Sequence, residues 1–199
     1  MYMMCRATTA LRFSTFDEQP LVRRVIRPHR SVNPTYDAPQ MRLDTDVFDL
    51  WVFCRASPEP RYLLLHTSQE KAEKWFGGGR FWQIPSGFAE PDQAPPEYLL
   101  RHLVGLDLTP LTLWAVEHVY TIYNRRYNAL QVIPVFAAEI AAPTVVTLDW
   151  EHSEYRWATA SECSELLTFR GLRDGLRWLR EYITEASPAP EFLLDRPAS

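Results

Sequence analysis

Three features that mark common classes of protein are scarce in this 199-residue sequence. It has only three cysteines, Cys5, Cys54 and Cys163, at spacings that suit neither a metal cluster nor a disulfide framework. We therefore expect buried structural thiols in a reducing compartment. The formal net charge of −4 gives no general attraction to nucleic acid or to an anionic membrane. No apolar run reaches the roughly 18 residues of a membrane span, so we expect a soluble, cytoplasmic protein.

The residues that are present suit one folded domain. Hydrophobic residues make up 46% of the chain and aromatic residues 13%, which is enough to bury one sizeable core. Segments rich in β-branched, aliphatic and aromatic residues predict strands over residues 47–54, 61–66, 81–84, 111–123 and 129–140. Residues 75–79 are predicted as a flexible loop before residue 81.

Two helices are predicted among these strands. One begins at Pro95 or Pro96, because proline is tolerated in a first turn, and Glu97 lies one turn before Arg101 as a supporting ion pair. We expect this helix to end before Gly105, a residue type that favours helix ends. The other helix has arginines off an apolar stripe, which is formed by Leu172, Leu176, Leu179 and Ile183. The alternation predicts an α/β fold with a mixed β-sheet between α-helices.

The segment GFAEPDQAPPEYLLRHLVGL, residues 87–106, resembles a known phosphate-chemistry motif. It is similar to the box of the Nudix hydrolases, Gly-x5-Glu-x7-Arg-Glu-U-x-Glu-Glu-x-Gly-U, where U is aliphatic. Counted from Gly87, Gln93 replaces the first glutamate and Arg101 matches the arginine. His102 then replaces the next glutamate, and the pattern resumes at Gly105 after a deficit that removes both consecutive glutamates. The resemblance is therefore to a Nudix hydrolase with a degenerate box, whose helix is shorter than the family's.

Two other segments strengthen this resemblance. Residues 81–87, FWQIPSG, look like the strand and turn that precede the box in this family. Residues 151–157, EHSEYRW, with the helix-like segment that follows, resemble a late segment of the dihydroneopterin triphosphate and dATP pyrophosphohydrolase branch. The resemblance covers residues 46–186. It implies the Nudix fold, hydrolysis of a diphosphate bond, and Mg²⁺ or Mn²⁺ as the cofactor of an active enzyme.

The missing glutamates weaken the implied chemistry. Mg²⁺ takes oxygen ligands, whereas the imidazole of His102 suits Zn²⁺ or Ni²⁺ better. The best surviving acid is Glu151, because the late segment brings a carboxylate towards the metal in the branch that the chain resembles. Glu97 and Glu90 are the other acids that could substitute for the lost ligands. The metal ligands themselves are left open.

Aromatic and cationic residues are candidates for substrate binding. Trp82, together with Trp75 and Phe76, precedes the box and could stack on a nucleobase or pterin. Arg125 and Arg126 lie in a turn and could bind a phosphate through their guanidinium groups. The alternatives are core packing for the aromatic residues and a solvated hairpin tip for the arginines.

The two ends of the chain do not belong to the predicted Nudix domain, residues 46–186. Residues 1–45 contain six arginines before position 31 and few acids. They are interpreted as an organellar transit peptide, as a misassigned start upstream of Met41, or as an extension that packs on the domain. Residues 187–199 contain three prolines and are predicted to form a loose tail.

Three hypotheses for function remain open at this stage. The favoured one is a Nudix domain that binds a nucleotide or diphosphate ligand with weak hydrolysis or none. The second is an active pyrophosphohydrolase that uses carboxylates outside the box. The third is a protein-interaction scaffold. We expect a small-molecule partner rather than nucleic acid or membrane, while the substrate and the oligomeric state stay open.

Overall fold

The structure is a computed structural model, which describes residues 41–55, 58–90 and 92–197. The interpretations of residues 1–40 as a transit peptide, a misassigned start or a packed extension lie outside the described residues, as does Cys5. Cys54 and Cys163 are buried, as expected for structural thiols. Among the described residues, no helix is both long enough and apolar enough to cross a membrane.

The described residues form nine strands and four α-helices. The strands are β1 (Arg42–Asp44), β2 (Val47–Cys54), β3 (Arg61–Thr67), β4 (Trp82–Gln83), β5 (Ser86–Phe88), β6 (Thr112–Asn124), β7 (Ala129–Glu139), β8 (His152–Ala158) and β9 (Leu193–Asp195). The helices are α1 (Gln69–Phe76), α2 (Pro95–Gly105), α3 (Ala160–Leu166) and α4 (Arg170–Leu179), and α4 continues into a π-helical turn at Arg180–Thr184. The long predicted strands are confirmed to within about two residues, the usual uncertainty of such boundaries.

One mixed sheet contains all nine strands of the described chain. Its main path runs β4-β3-β2-β7-β6-β9, while β1 pairs with β7, β5 with β2 and β8 with β3. β2 lies near the centre, parallel to β7 and antiparallel to β3. β2 is buried on both faces, which explains why its sequence is a nearly continuous apolar run.

The helices cover both faces of this sheet, so the predicted α/β sandwich is confirmed. Successive side chains of a strand face opposite sides. Phe48 and Leu50 of β2 accordingly join a core with α2, whereas Trp51 and Phe53 join a second core with α3 and α4. We call the two sides the α2 face and the α4 face.

α2 ends close to the predicted position, but a different residue ends it. The helix includes Gly105, and the left-handed residue that ends it is Asp107, with φ 59°. The amides of Asp107 and Leu108 bond the carbonyls of Val104 and Leu103 at 3.1 and 3.0 Å. These are the two hydrogen bonds of a Schellman motif, and the buried Leu108 and Leu103 supply its apolar contact. The expectation that the helix ends before Gly105 was wrong by one residue, because Asp107 rather than the glycine reverses the chain.

Residues 75 and 76, predicted as loop, belong to α1. Ser68 caps this helix by accepting a hydrogen bond from the amide of Lys71, and Gly77 ends it in the left-handed conformation with φ 66°. The loop therefore begins at Gly77. The prediction missed the helix because its apolar residues are few, namely Ala72, Trp75 and Phe76.

The sheet extends beyond the predicted limits of the domain on both sides. β1 precedes residue 46 and pairs with β7. β9 follows residue 186 and pairs with β6, so the expectation of a loose tail is wrong for Leu193–Asp195. Both strands are only three residues long, and such short segments have no period that a sequence pattern reveals.

Candidate functional site

His102 of α2 lies against the β2–β5 edge of the α2 face. Its ring meets Phe48 edge-on, with centroids 5.7 Å apart. A Cβ atom on Gly87 would lie 2.8 Å from the Phe48 ring and 3.2 Å from His102 Nδ1, so this close approach requires glycine. Burial lowers the pKa of His102, and the imidazole is therefore neutral at pH 7. Its Nε2 is buried without a hydrogen-bond partner among the described residues.

A hydrogen-bonded chain lies beside His102. Gln83 Nε2 is 2.8 Å from His152 Nε2, and His152 Nδ1 is 2.8 Å from Asp149 Oδ1. Burial and then the charge of Lys71 lower the pKa of His152, while Asp149 opposes them. Asp149 and Glu151 also act electrostatically on His102, which places the loop before β8 next to α2. We call Gln83, His102, Asp149, Glu151 and His152 the box-face cluster.

Glu151, the favoured catalytic acid from the sequence, is held in an ion pair. Its Oε2 accepts a hydrogen bond from Lys71 Nζ at 2.6 Å, and the Lys71 side chain is only 7% exposed. The Glu151 carbonyl also accepts a hydrogen bond from the amide of Ser68 at 2.8 Å. A buried ammonium requires a partner, so this carboxylate compensates Lys71 rather than standing free for a metal.

Two exposed tryptophans lie next to this ion pair. The rings of Trp75 and Trp150 meet edge-on at 5.3 Å, and they are 37% and 44% exposed. Lys74 Nζ lies 5.4 and 4.6 Å from their two centroids, and Lys71 Nζ lies 5.8 Å from Trp75. We call Trp75, Trp150 and Lys74 the tryptophan platform. It combines aromatic surface with a cation beside Glu151.

The remaining box residues lie around the start of α2. Arg101 pairs with Glu90 at 2.9 Å, in place of the predicted pair with Glu97. Glu97 is exposed in the first turn of α2, and no hydrogen bond or ion pair joins it to the described residues of the box-face cluster. The Oε1 atom of Gln93 is buried with no partner among the described residues.

The structure does not bring the predicted substrate-binding residues into the cluster. Trp82 stacks on His66 at 4.7 Å and packs with the core of the α4 face, since it points opposite to its neighbour Gln83. Arg125 and Arg126 are exposed in the turn between β6 and β7. The β7 register separates that turn from Phe48 by about 20 Å along the strand.

Sequence reasoning missed several residues of the box-face cluster, and it also missed Lys71, the partner of Glu151. Gln83 and His152 lie within the two segments that carry the resemblance, but their pairing joins positions 69 residues apart. Asp149 precedes the late segment and had no signal of its own. Lys71 resembles any charged residue of an amphipathic helix, and only its burial reveals the role. A buried lysine can be identified only once the packing is known.

The donor set at the box helix does not fit a hard divalent cation. From either end of the box pattern, a glutamate position falls on His102: it follows Arg101, and it lies three residues before Gly105. Mg²⁺ needs carboxylate, carbonyl or water oxygens, and here the helix supplies a neutral imidazole. The two nearby carboxylates are bonded, Glu151 to Lys71 and Asp149 to His152. No catalytic step through a metal follows from these residues.

Comparison with known proteins adds a distant relative. No family model matches the chain. An octanoyltransferase of Myxococcus xanthus is 28% identical over 123 residues, an alignment that covers 60% of this chain and 32% of that protein. The chain thus matches about a third of the length of this curated relative.

Solved structures give a broader match. A Nudix hydrolase of Listeria monocytogenes has a TM-score of 0.57 and 21% identity, with coverage of 69% of this chain and 93% of that one. The Nudix domain of Shewanella oneidensis NrtR, solved with ADP ribose, has a TM-score of 0.56 and 16% identity, with coverage of 74% of this chain and 93% of that one. The dihydroneopterin triphosphate pyrophosphohydrolase of E. coli has a TM-score of 0.53 and 14% identity, with coverage of 72% of this chain and 99% of that one. The mixed sheet, the helix after Gly87 and these similarities together show that the chain has the fold of the Nudix hydrolases.

Proposed function

We propose that this Nudix-fold protein binds a phosphate-bearing nucleotide at the box-face cluster and hydrolyses it weakly or not at all. The observation that carries the proposal is the exchange of carboxylate for imidazole at His102, combined with the ion pair of Glu151 with a buried lysine. In metal-dependent phosphate chemistry, carboxylates hold the Mg²⁺ ion, and the ion activates water and neutralises charge. Here Glu151 neutralises the Lys71 ammonium instead, and Asp149 bonds His152.

The tryptophan platform supports retained binding. A nucleotide has an aromatic base and an anionic phosphate, and the platform offers aromatic surface with the Lys74 ammonium. Lys71 contacts both Trp75 of the platform and Glu151, and Glu151 acts electrostatically on His102. One ligand could therefore place its base at the platform and its phosphate near His102. A Nudix domain of similar fold was solved with ADP ribose, which makes that molecule a reasonable first ligand to test.

Calorimetric titration of the full chain tests the binding. The ligands are ADP ribose, ATP, diadenosine tetraphosphate and dihydroneopterin triphosphate, each with EDTA and with Mg²⁺. We expect at least one to bind, with an affinity that Mg²⁺ changes by less than about tenfold, or 1.4 kcal/mol. Trp150→Leu should weaken the binding of the nucleotide more than the binding of inorganic pyrophosphate. The matched control is Tyr127→Leu, an exposed aromatic residue at the β6–β7 turn. Absence of binding at millimolar ligand would favour the scaffold hypothesis.

A phosphate-release assay tests the chemistry separately. We expect turnover below roughly 1 s⁻¹, the low end of ordinary enzymes, with Mg²⁺ or Mn²⁺ on each of these ligands. Faster turnover would overturn the proposal in favour of an active pyrophosphohydrolase that uses Mg²⁺ or Mn²⁺. Loss of that turnover in Glu151→Gln but not in Glu97→Gln would then identify the late segment as the catalytic centre.

A further inference from the structure

The outer surface of α4 contains a concentration of arginines. Four of them surround a depression of about 440 Å³, and they are Arg170, Arg173, Arg177 and Arg180. Their spacing of three and four residues places them on one side of the helix. Leu172 and Leu179 occupy the other side and are buried against the sheet. The amphipathic pattern of α4 therefore gathers the guanidinium groups, while the tertiary structure makes the surface between them concave.

Carboxylates neutralise only part of this charge. Asp174 lies 3.1 Å from Arg170 and 3.5 Å from Arg177, so one acid serves two arginines. Glu185 pairs with Arg180 at 2.6 Å. Arg173 is exposed and forms no ion pair with any residue that the structure describes. The surface is cationic although the whole chain has a formal charge of −4.

These ion pairs can exchange partners. Arg170 and Arg177 are 89% and 73% exposed, and exposed ion pairs contribute little to stability, typically below about 1 kcal/mol. A guanidinium group binds phosphate through two parallel N–H donors, a stronger interaction than a single contact with a shared carboxylate. A multiply charged phosphate could thus recruit Arg173 and displace Asp174 from its two partners.

We propose that this arginine surface is a second binding site, specific for a small oligophosphate. The depression has the volume of a small-molecule site, for which about 300 to 1,000 Å³ is usual. The four arginines span about 15 Å of helix, since each residue rises about 1.5 Å. All four line the same depression, so a chain of two or three phosphates placed in it could contact more than one guanidinium group. The length is short for nucleic acid, which also favours a protein with an overall basic surface.

This site is separate from the nucleotide site proposed above. α4 packs in the core with Trp51 and Phe53, whereas α2 packs in the core with Phe48 and Leu50, so the sheet lies between them. A ligand at the arginine surface therefore does not touch His102, and substitutions of Arg173 and Arg177 leave the packing of α2 unchanged.

Titration of the full chain with inorganic tripolyphosphate tests the proposal. The variant is Arg173→Gln with Arg177→Gln, and the control is Arg125→Gln with Arg126→Gln, which removes the same charge from an exposed turn. We expect the α4 variant to weaken binding by about tenfold or more, equivalent to 1.4 kcal/mol, and the control by less than about twofold. Both variants should keep the wild-type melting temperature, because all four side chains are exposed.

Three results would overturn the proposal. One is no tripolyphosphate binding at millimolar concentration in low salt. Another is an equal loss in the α4 variant and the control, which would show an effect of net charge alone. The third is loss of tripolyphosphate binding in Trp150→Leu but not in the α4 variant, since that would place the anion at the nucleotide site. Tighter binding of a single-stranded oligonucleotide than of tripolyphosphate, abolished in the α4 variant, would replace the ligand class with nucleic acid.

Discussion

The two faces of the sheet handle their charged residues differently. On the α2 face, each acid of the box-face cluster has a partner within hydrogen-bond distance, such as Glu151 with Lys71. On the α4 face, Asp49 is buried beneath the helix with Tyr120 as its hydrogen-bond partner at 2.5 Å. The surface of the same helix meanwhile has more arginines than acids. The contrast shows that the acids of the α2 face are already bonded within the protein, whereas the arginines of α4 are only partly neutralised.

The largest predicted effect concerns the buried carboxyl on the α4 face. Burial raises the pKa of Asp49 from 3.8 to about 6, although its hydrogen bond with Tyr120 opposes the shift. In the unfolded chain this carboxyl loses its proton near pH 4, whereas in the folded protein it keeps the proton up to about pH 6. The free energy of unfolding therefore falls as the pH rises from about 4 to about 6. A shift of about two units corresponds to on the order of 3 kcal/mol. Asp49→Asn should abolish this loss, as measured by urea unfolding at pH 4.5, 6 and 7.5.

The exposed Glu59→Gln variant is the control for this measurement, and it should keep the wild-type dependence on pH. If Asp49→Asn and wild type lost stability in parallel, the buried carboxyl would not be the cause.

The next effect concerns the ion pair on the α2 face. Glu151→Leu leaves the ammonium of Lys71 buried without its partner, and we expect the free energy of unfolding to fall by about 2 to 3 kcal/mol. Adding Lys71→Met should recover most of that loss, because no unpaired charge then remains. A double-mutant cycle by urea unfolding gives the coupling. If the losses of the two single substitutions simply added in the double variant, Lys71 and Glu151 would not interact.

A smaller effect tests the packing of α4 against the sheet. A Cβ atom on Gly171 would lie 2.6 Å from two ring atoms of Tyr120, and Asp49 fixes the hydroxyl of that ring. Gly171→Ala should therefore destabilise the protein by about 1 to 3 kcal/mol, the usual range for an overpacked site. Thermal unfolding measures the change. An unchanged melting temperature would show that the ring moves aside freely.

The smallest effect separates two explanations for the end of α2. Gly105 lies inside the helix, and an added Cβ would meet no atom within 4 Å. Gly105→Ala should raise the free energy of unfolding by about 1 kcal/mol, the difference in helix propensity between glycine and alanine. If the glycine itself ended the helix in a left-handed conformation, the same substitution would lower it. Urea unfolding decides the sign.

Periodic patterns in the sequence were sufficient for much of the fold. β2, β6 and β7 follow from their apolar and β-branched residues, and α4 follows from leucines at helical spacing. These features depend on neighbours in the chain, so the sequence contains the whole signal. α1, β1 and β9 were not predicted, since each is short and its pairing partners or packing lie elsewhere in the chain.

The sequence by itself determined the sandwich of helices around a mixed sheet, the spacing of Gly87 and Arg101, and the absence of glutamate between Arg101 and Gly105. Only the tertiary structure decided which residues lie near this helix and which partners they have. Lys71 reaches Glu151 across 80 residues, and Gln83 reaches His152 across 69. A local pattern reveals which residues share a helix face, but the partner of a buried charge depends on long-range packing.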